Sequence, residues 1–185
     1  MEIMYAKPTH TKSLLYLHQQ ALGVAYSEEE GAAIRELVEG LLADPTAEPR
    51  HSLIAIEQDT LVGHILFTRV HIEGAASNVA AQILAPLAVH PDFQAKGIGQ
   101  KLIMTGLDAL RRSKTQLIFV LGHPGYYPRC GFTPAGTCGL EAPYPIPAEN
   151  GAAWMVQELM PGIIGTVKGK IRCAVILHQP EHWRE

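Results

Sequence analysis

Residues 94–100 contain two glycines with the residue types and spacing of an anion-binding turn. Gly97 and Gly99 allow the backbone to adopt positive φ angles and to approach a ligand closely. A helical pattern follows the segment, so that free backbone N–H groups would point at a bound anion, and Lys96 would add positive charge. We therefore predict a phosphate-binding turn formed by Gln94, Ala95, Lys96, Gly97, Ile98, Gly99 and Gln100.

Two common nucleotide-binding motifs do not fit this turn. A dinucleotide fingerprint needs a third small residue at the position of Leu102, and a P-loop needs Gly-Lys followed by Ser or Thr, which the sequence lacks. A generic phosphate or nucleotide binder therefore rests on the glycine turn alone. It ranks last among the functions that we consider.

Two motifs in a fixed order carry a family resemblance. Residues 94–99, Gln-x-x-Gly-x-Gly, follow an apolar strand pattern and resemble the Gln/Arg-x-x-Gly-x-Gly/Ala signature of the GNAT superfamily of acyl-CoA-dependent N-acyltransferases. Further along the chain, Tyr127 precedes Gly131-Phe132 by the spacing of the family's Tyr-x-x-x-Gly-Phe segment. Residues 122–127 are similar to a bacterial subgroup of predicted N-acetyltransferases, and the resemblance extends from residue 2 to about residue 177.

The resemblance implies acetyl-CoA as co-substrate and a primary amine as acceptor, with direct attack of the amine on the thioester. The family binds the pantetheine arm along the main chain of a splayed fourth strand, which here corresponds to Leu87, Ala88 and Val89, and the pyrophosphate at 94–100. A backbone N–H of that strand would polarise the thioester carbonyl. Tyr127 is the candidate general acid for the leaving thiolate, because a tyrosine with a pKa near 10 keeps its proton at neutral pH, and Tyr126 is the alternative.

Several functional assignments stay open at this point. Many family members hold pantetheine with an asparagine, where this sequence has Gly-His-Pro at 122–124. The general base is not identified, since Glu73, His90 and His123 are each better explained as surface groups. The acceptor can be a small amine, an antibiotic, an amino acid or a protein terminus. The alternative function is a non-catalytic acyl-CoA-binding or interaction module on the same fold.

Hydrophobic periodicity supplies the elements that would position these residues. Helices are predicted at 9–23, at a segment that is capped by Ser27 and stops at Asp44-Pro45, and at 99–112. A β-hairpin is predicted through 53–72, with its turn at Gln58-Asp59. Further strands are predicted at 2–6, 79–89 with a break at Pro86, 116–121, 154–159 and 169–177. A turn is predicted at 74–78, one helical turn within 122–131, an extended piece from Phe132 onward, and a mobile loop at 134–151. The pattern is mixed α/β, and the resemblance implies a three-layer GNAT-like fold with a splayed, mostly antiparallel sheet flanked by helices.

Composition narrows the remaining possibilities. A chain of 185 residues with 47% hydrophobic residues is expected to form a single domain over 1–185. The net charge of −3 argues against a nucleic-acid binder, and no apolar run or leader pattern indicates a membrane, so we expect a cytoplasmic protein. His178 and His182 do not predict a metal site, because Pro180 breaks the helix that would align them. A homodimer is kept as an alternative to a monomer, since some members of the family that the chain resembles dimerise through strands late in the sequence.

Overall fold

A computed structural model describes residues 1–75 and 79–183. The helices are α1 (Thr11–Ala25), α2 (Glu28–Ala43) and α3 (Ile98–Arg112). The strands are β1 (Glu2–Tyr5), β2 (His51–Glu57), β3 (Thr60–Ile72), β4 (Ala81–Val89), β5 (Leu117–Leu121), β6 (Thr133–Pro134), β7 (Leu140–Glu141), β8 (Trp154–Glu158) and β9 (Gly169–Arg172).

One open sheet runs through the molecule in the order β1-β2-β3-β4-β5-β8-β6. Its pairs are antiparallel except β4 with β5, and β9 joins the far end of β3 and pairs in parallel with β7. The parallel pair of β4 and β5 requires a crossover, which α3 provides. The predicted mixed α/β fold with a mostly antiparallel sheet is confirmed.

The two faces of the sheet bury different helices because side chains alternate along each strand. On β3, Leu66 packs with the α2 residues Leu37 and Leu41. Its neighbour Phe67 packs instead with α3 residues that include Leu107. The helices therefore form two outer layers, with α1 and α2 on one face and α3 on the other.

Local sequence signals explain several boundaries. Ser27 begins α2 by accepting a hydrogen bond from the N–H of Glu30 at 3.2 Å, as its capping position predicts. Gln58 and Asp59 form the β2–β3 turn with positive φ angles of 48° and 62°. The break that was predicted at Pro86 is present as a register shift in β4, opposite the β3 segment between Ile65 and Phe67.

Some predicted boundaries are wrong. The last strand ends at Arg172, and residues 174–177 form a turn in which the N–H of Leu177 donates to the carbonyl of Ala174 at 3.0 Å. The 134–151 segment contains the short strand β7 and two short 3-10 helices, and the extended piece after Phe132 has only the two residues of β6. Part of the predicted 74–78 turn lies outside the described residues. Across residues 1–75 and 79–183, the helices are too short or too polar to cross a membrane.

Candidate active site

Strands β4 and β5 pair over only three residues and then separate. Ala81, Gln82 and Ile83 are in register with β5, and beyond them no described residue of β5 pairs with β4. The opposite edge of β4 stays paired with β3, where Leu87 faces Ile65 across the register. The main chain of β4 therefore borders a gap from residue 84 onward, and backbone groups at such an edge need hydrogen-bond partners.

The turn after β4 is held to the strand by its first residue. The side-chain amide of Gln94 donates a hydrogen bond to the carbonyl of Val89 at 3.1 Å. Ala95 and Gly97 have positive φ angles of 59° and 77°, and α3 begins directly afterwards at Ile98. This path turns the chain sharply from the strand into the helix, so that the first N–H groups of α3 face the end of β4.

A cavity of about 430 Å³ lies at this junction. Its size falls in the range of small-molecule sites, which is about 300–1,000 Å³. The walls come from the end of β4, the turn, the start of α3 and the segment after β5, and they are formed by Leu87, Val89, Phe93, Gln94, Ala95, Gly97, Ile98, Gly99, Gln100, Tyr126 and Arg129.

Most of the residues predicted to bind the cofactor meet at this cavity, but two do not line it. Ala88 points to the other face of the sheet, where it packs with Leu17 and Ala21 of α1. Lys96 turns back on its own loop: its ammonium donates to the carbonyl of Asp92 at 3.0 Å and lies 4.6 Å from the ring centroid of Phe93. The expected positive charge of the turn is therefore directed at the loop and not at the cavity.

The two adjacent tyrosines differ in position. Tyr126 lines the cavity, and a Cβ atom on Gly99 would lie 2.5 Å from its hydroxyl oxygen. A side chain at position 99 would therefore have to displace the end of the Tyr126 phenol, and glycine lets the phenol approach the helix. Tyr127 packs its ring edge-on against Phe132, with centroids 5.8 Å apart, and against Gly122. Burial of the Tyr126 hydroxyl raises its pKa above the ordinary value of 10.0, and the charge of the nearby Cys130 thiolate contributes a smaller increase.

Tyr126 and Tyr127 belong to the same short turn. Their rings meet edge to face at 5.2 Å, and a 3-10 helix covers Tyr127–Cys130. Gly131 ends the helix with a φ angle of 94°, and Cys130 and Phe132 are buried against the α3 face of the sheet. Burial raises the pKa of the Cys130 thiol, as expected for an inert packing residue.

Sequence reasoning missed Phe93 and Arg129 as cavity residues. The available signal for Arg129 was its position inside the tyrosine motif, between Tyr127 and Gly131, where it is the one basic residue. Periodicity could not reveal it, because a 3-10 turn of four residues has no apolar pattern that orients its side chains.

The three groups considered as general base are engaged elsewhere. Glu73 forms an ion pair with Arg172 at 2.9 Å. The Nδ1 atom of His90 accepts a hydrogen bond from the N–H of Asp92, and the Nδ1 atom of His123 accepts one from the N–H of Gly125. The Glu73–Arg172 pair joins the end of β3 to β9, and each histidine contact lies within its own surface loop. Among the described residues, no group of three His, Cys, Asp or Glu side chains is arranged to hold a metal ion.

The sequence model described as the acetyltransferase (GNAT) domain matches residues 48–134. Over 140 residues, the chain is 50% identical to YjhQ, an uncharacterized N-acetyltransferase of Escherichia coli strain K12, and the match covers 75% of this chain and 77% of YjhQ. The chain belongs to the GNAT family of N-acetyltransferases. The family predicted from the two motifs is thus confirmed, and the protein is an N-acetyltransferase.

Solved structures of GNAT proteins have the same fold. A GNAT acetyltransferase of Brucella melitensis in complex with acetyl-CoA is 29% identical, with a TM-score of 0.71 over 95% of this chain and 97% of that one. YhbS of Escherichia coli in complex with CoA is 23% identical, with a TM-score of 0.83 over 96% of this chain and 92% of that one. The architecture of this chain is therefore that of GNAT acetyltransferases.

Proposed function

We propose that this N-acetyltransferase uses acetyl-CoA as its co-substrate and transfers the acetyl group to a primary amine. The observation that carries the proposal is the cavity, which joins the unpaired edge of β4 to the start of α3. The complexes of the Brucella melitensis protein with acetyl-CoA and of YhbS with CoA support the choice of ligand.

The cofactor would extend along two surfaces that differ in chemistry. The main chain of Leu87–Val89 offers N–H and C=O groups to the pantetheine amides, which would act as the missing strand. The turn at 94–100 offers backbone N–H groups and the positive end of the α3 dipole to the pyrophosphate. Lys96 stays in the predicted binding segment, although its ammonium is bonded to the loop.

The chemical step is an attack of the neutral amine on the thioester carbonyl. The carbon–nitrogen bond forms and a negative charge develops on the carbonyl oxygen, which a backbone N–H of β4 stabilises. The carbon–sulfur bond then breaks, and the thiolate takes a proton from a tyrosine. The proton lost by the amine passes to solvent, and the tyrosinate regains a proton from solvent before the next turnover. Motif spacing favours Tyr127 as this acid, and cavity position favours Tyr126.

A calorimetric titration of acetyl-CoA into the protein tests the proposal directly. We expect micromolar or tighter binding that ATP does not displace and that free CoA does. Absence of detectable binding would overturn the proposal. Thiol release should then be followed with simple amines, aminoglycosides and peptides, because binding without thiol release in any arm would support the non-catalytic acyl-CoA-binding module instead.

We also propose that residues 1–185 form one acetyltransferase domain that acts in the cytoplasm. The sheet order supports the first point, since strands from both ends of the chain, β1 and β9, join strands of the same system. A homodimer stays a prediction that light scattering of the purified protein would test.

A further inference from the structure

The cavity contains one charged side chain. Its described lining residues are apolar or neutral except Arg129, and no carboxylate is among them. Acetyl-CoA carries a pyrophosphate and a 3′-phosphate, so its binding at this cavity needs compensation of several negative charges. Neutral N–H groups of the turn and the helix dipole supply only partial charges.

The guanidinium of Arg129 has no hydrogen bond or ion pair with another residue in the described part of the chain. By contrast, Arg35 donates to Gln19, Arg50 pairs with Glu48, and Arg111 pairs with Asp108. The side chain of Arg129 is also exposed, so it can turn toward a ligand without breaking an internal contact.

The backbone that carries Arg129 is fixed. Its N–H donates to the carbonyl of Tyr126 at 3.3 Å, and the next residue, Cys130, is buried. The N–H of Gly131 donates to the carbonyl of Pro128 at 3.1 Å and closes the turn. This hydrogen-bonded turn thus presents the Arg129 side chain to the cavity next to Tyr126, whose hydroxyl lies close to Gly99 at the start of α3.

We propose that Arg129 is a specificity-determining residue that forms an ion pair with a phosphate group of CoA. The inference rests on the proposed function, because it assigns a role within the same cofactor site. The planar fork of a guanidinium can bind a phosphate through two parallel hydrogen bonds, and such charge-assisted bonds are among the strongest in proteins.

The test compares Arg129→Gln with Arg112→Gln, which removes the same charge from an exposed position at the far end of α3. Both variants and the wild type are titrated with CoA and with 3′-dephospho-CoA at low and high salt. We expect Arg129→Gln to weaken CoA binding about tenfold or more, as for loss of a charge-assisted hydrogen bond, and Arg112→Gln to change it less than about twofold. The loss should shrink at high salt.

The two ligands separate the phosphates. An equal loss with both ligands assigns Arg129 to the pyrophosphate, and a loss with CoA alone assigns it to the 3′-phosphate; either result supports the inference. Lys96→Gln is titrated as a further comparison. The inference would be overturned if Arg129→Gln kept wild-type affinity, if Arg112→Gln lost as much affinity, or if only Lys96→Gln lost affinity. Each of these results would leave the proposed function intact. A wild type that binds no CoA would overturn the proposed function and the inference together.

Discussion

The Nε2 atom of His18 lies 2.7 Å from the Nδ1 atom of His64 in the interior of the protein. His18 belongs to α1 and His64 to β3, and both side chains are fully buried. The Nε2 atom of His64 makes a second hydrogen bond, of 2.8 Å, with the hydroxyl of Ser52. These two hydrogen bonds connect α1 to the sheet beside β4, because His64 is the register partner of Ala88.

Acid should therefore destabilise the protein through these two histidines. Burial lowers the pKa of His64 from 6.5 to about 3, and burial together with the charge of His64 lowers the pKa of His18 well below 6.5. Below about pH 6.5 the unfolded chain takes up protons that the folded state does not, so the stabilisation is complete above that pH and decreases toward pH 3. We expect the free energy of unfolding to fall by on the order of 1 kcal/mol through His64 between about pH 7.5 and pH 5.5, and His18 adds a loss in the same direction.

Urea denaturation at the two pH values measures this loss. The double variant His18→Leu/His64→Leu replaces both hydrogen-bonding partners by apolar groups and should show a smaller decrease. The control His123→Gln changes an exposed histidine and should retain the decrease of the wild type. A double variant as acid-sensitive as the wild type would assign the effect to other groups.

Tyr127→Phe should slow acetyl transfer while leaving acetyl-CoA affinity within about twofold, because it removes a proton donor and keeps the aromatic ring. Loss of a general acid reduces turnover by about a hundred- to ten-thousandfold. Steady-state kinetics and calorimetry measure the two effects separately. Tyr126→Phe is the matched comparison, since its hydroxyl lies at Gly99. If Tyr126→Phe alone loses turnover, the acid is Tyr126, and the assignment from motif spacing is wrong.

Gly99→Glu should abolish acetyl-CoA binding. A Cβ atom at this position would lie 2.5 Å from the Tyr126 hydroxyl, and a carboxylate would place negative charge where the phosphates are expected. Gly99→Ala separates the two effects, because it adds the steric contact without the charge. Calorimetric titration with acetyl-CoA measures both variants, and we expect the alanine variant to lose less affinity than the glutamate variant. Equal losses would show that the negative charge does not contribute.

Gly106→Ala should destabilise the protein although alanine favours helices. A Cβ atom at Gly106 would collide with the ring of Phe67, which is fully buried and cannot move freely. Overpacking of this kind costs about 1–3 kcal/mol. Gly23→Ala in α1 is the control, because among the described residues no atom beyond its own helix turn and chain neighbours lies within 4 Å of its Cβ position. The helix preference of about 1 kcal/mol should therefore stabilise this variant. Thermal unfolding should move the two midpoints in opposite directions.

The glycine turn at 94–100 was predictable from the sequence because its conformation depends on residues that are adjacent in the chain. Gly97 needs a positive φ angle, and α3 follows it within one residue, so the turn and the helix start are set by neighbouring residues. The end of β9 was not predictable, because the apolar residues after Arg172 pack against the core from a turn and mimic a strand pattern.

Side chains that meet across the fold escaped the sequence entirely. His18 and His64 are 46 positions apart and belong to different elements, and neither carries a motif. Tyr126 and Gly99 come together only because the turn after β5 folds back over α3. Contacts of this type depend on tertiary packing, which periodicity does not encode.

The hydrogen bond from Gln94 to the carbonyl of Val89 connects the last residue of β4 to the first residue of the glycine turn. This bond holds the turn against the strand edge in the folded protein. The conformational entropy of the turn is lost during folding, so ligand association does not have to order it. Gln94 thus preorganises the turn. Its contribution to ligand affinity would come from order that the protein already has before the ligand binds.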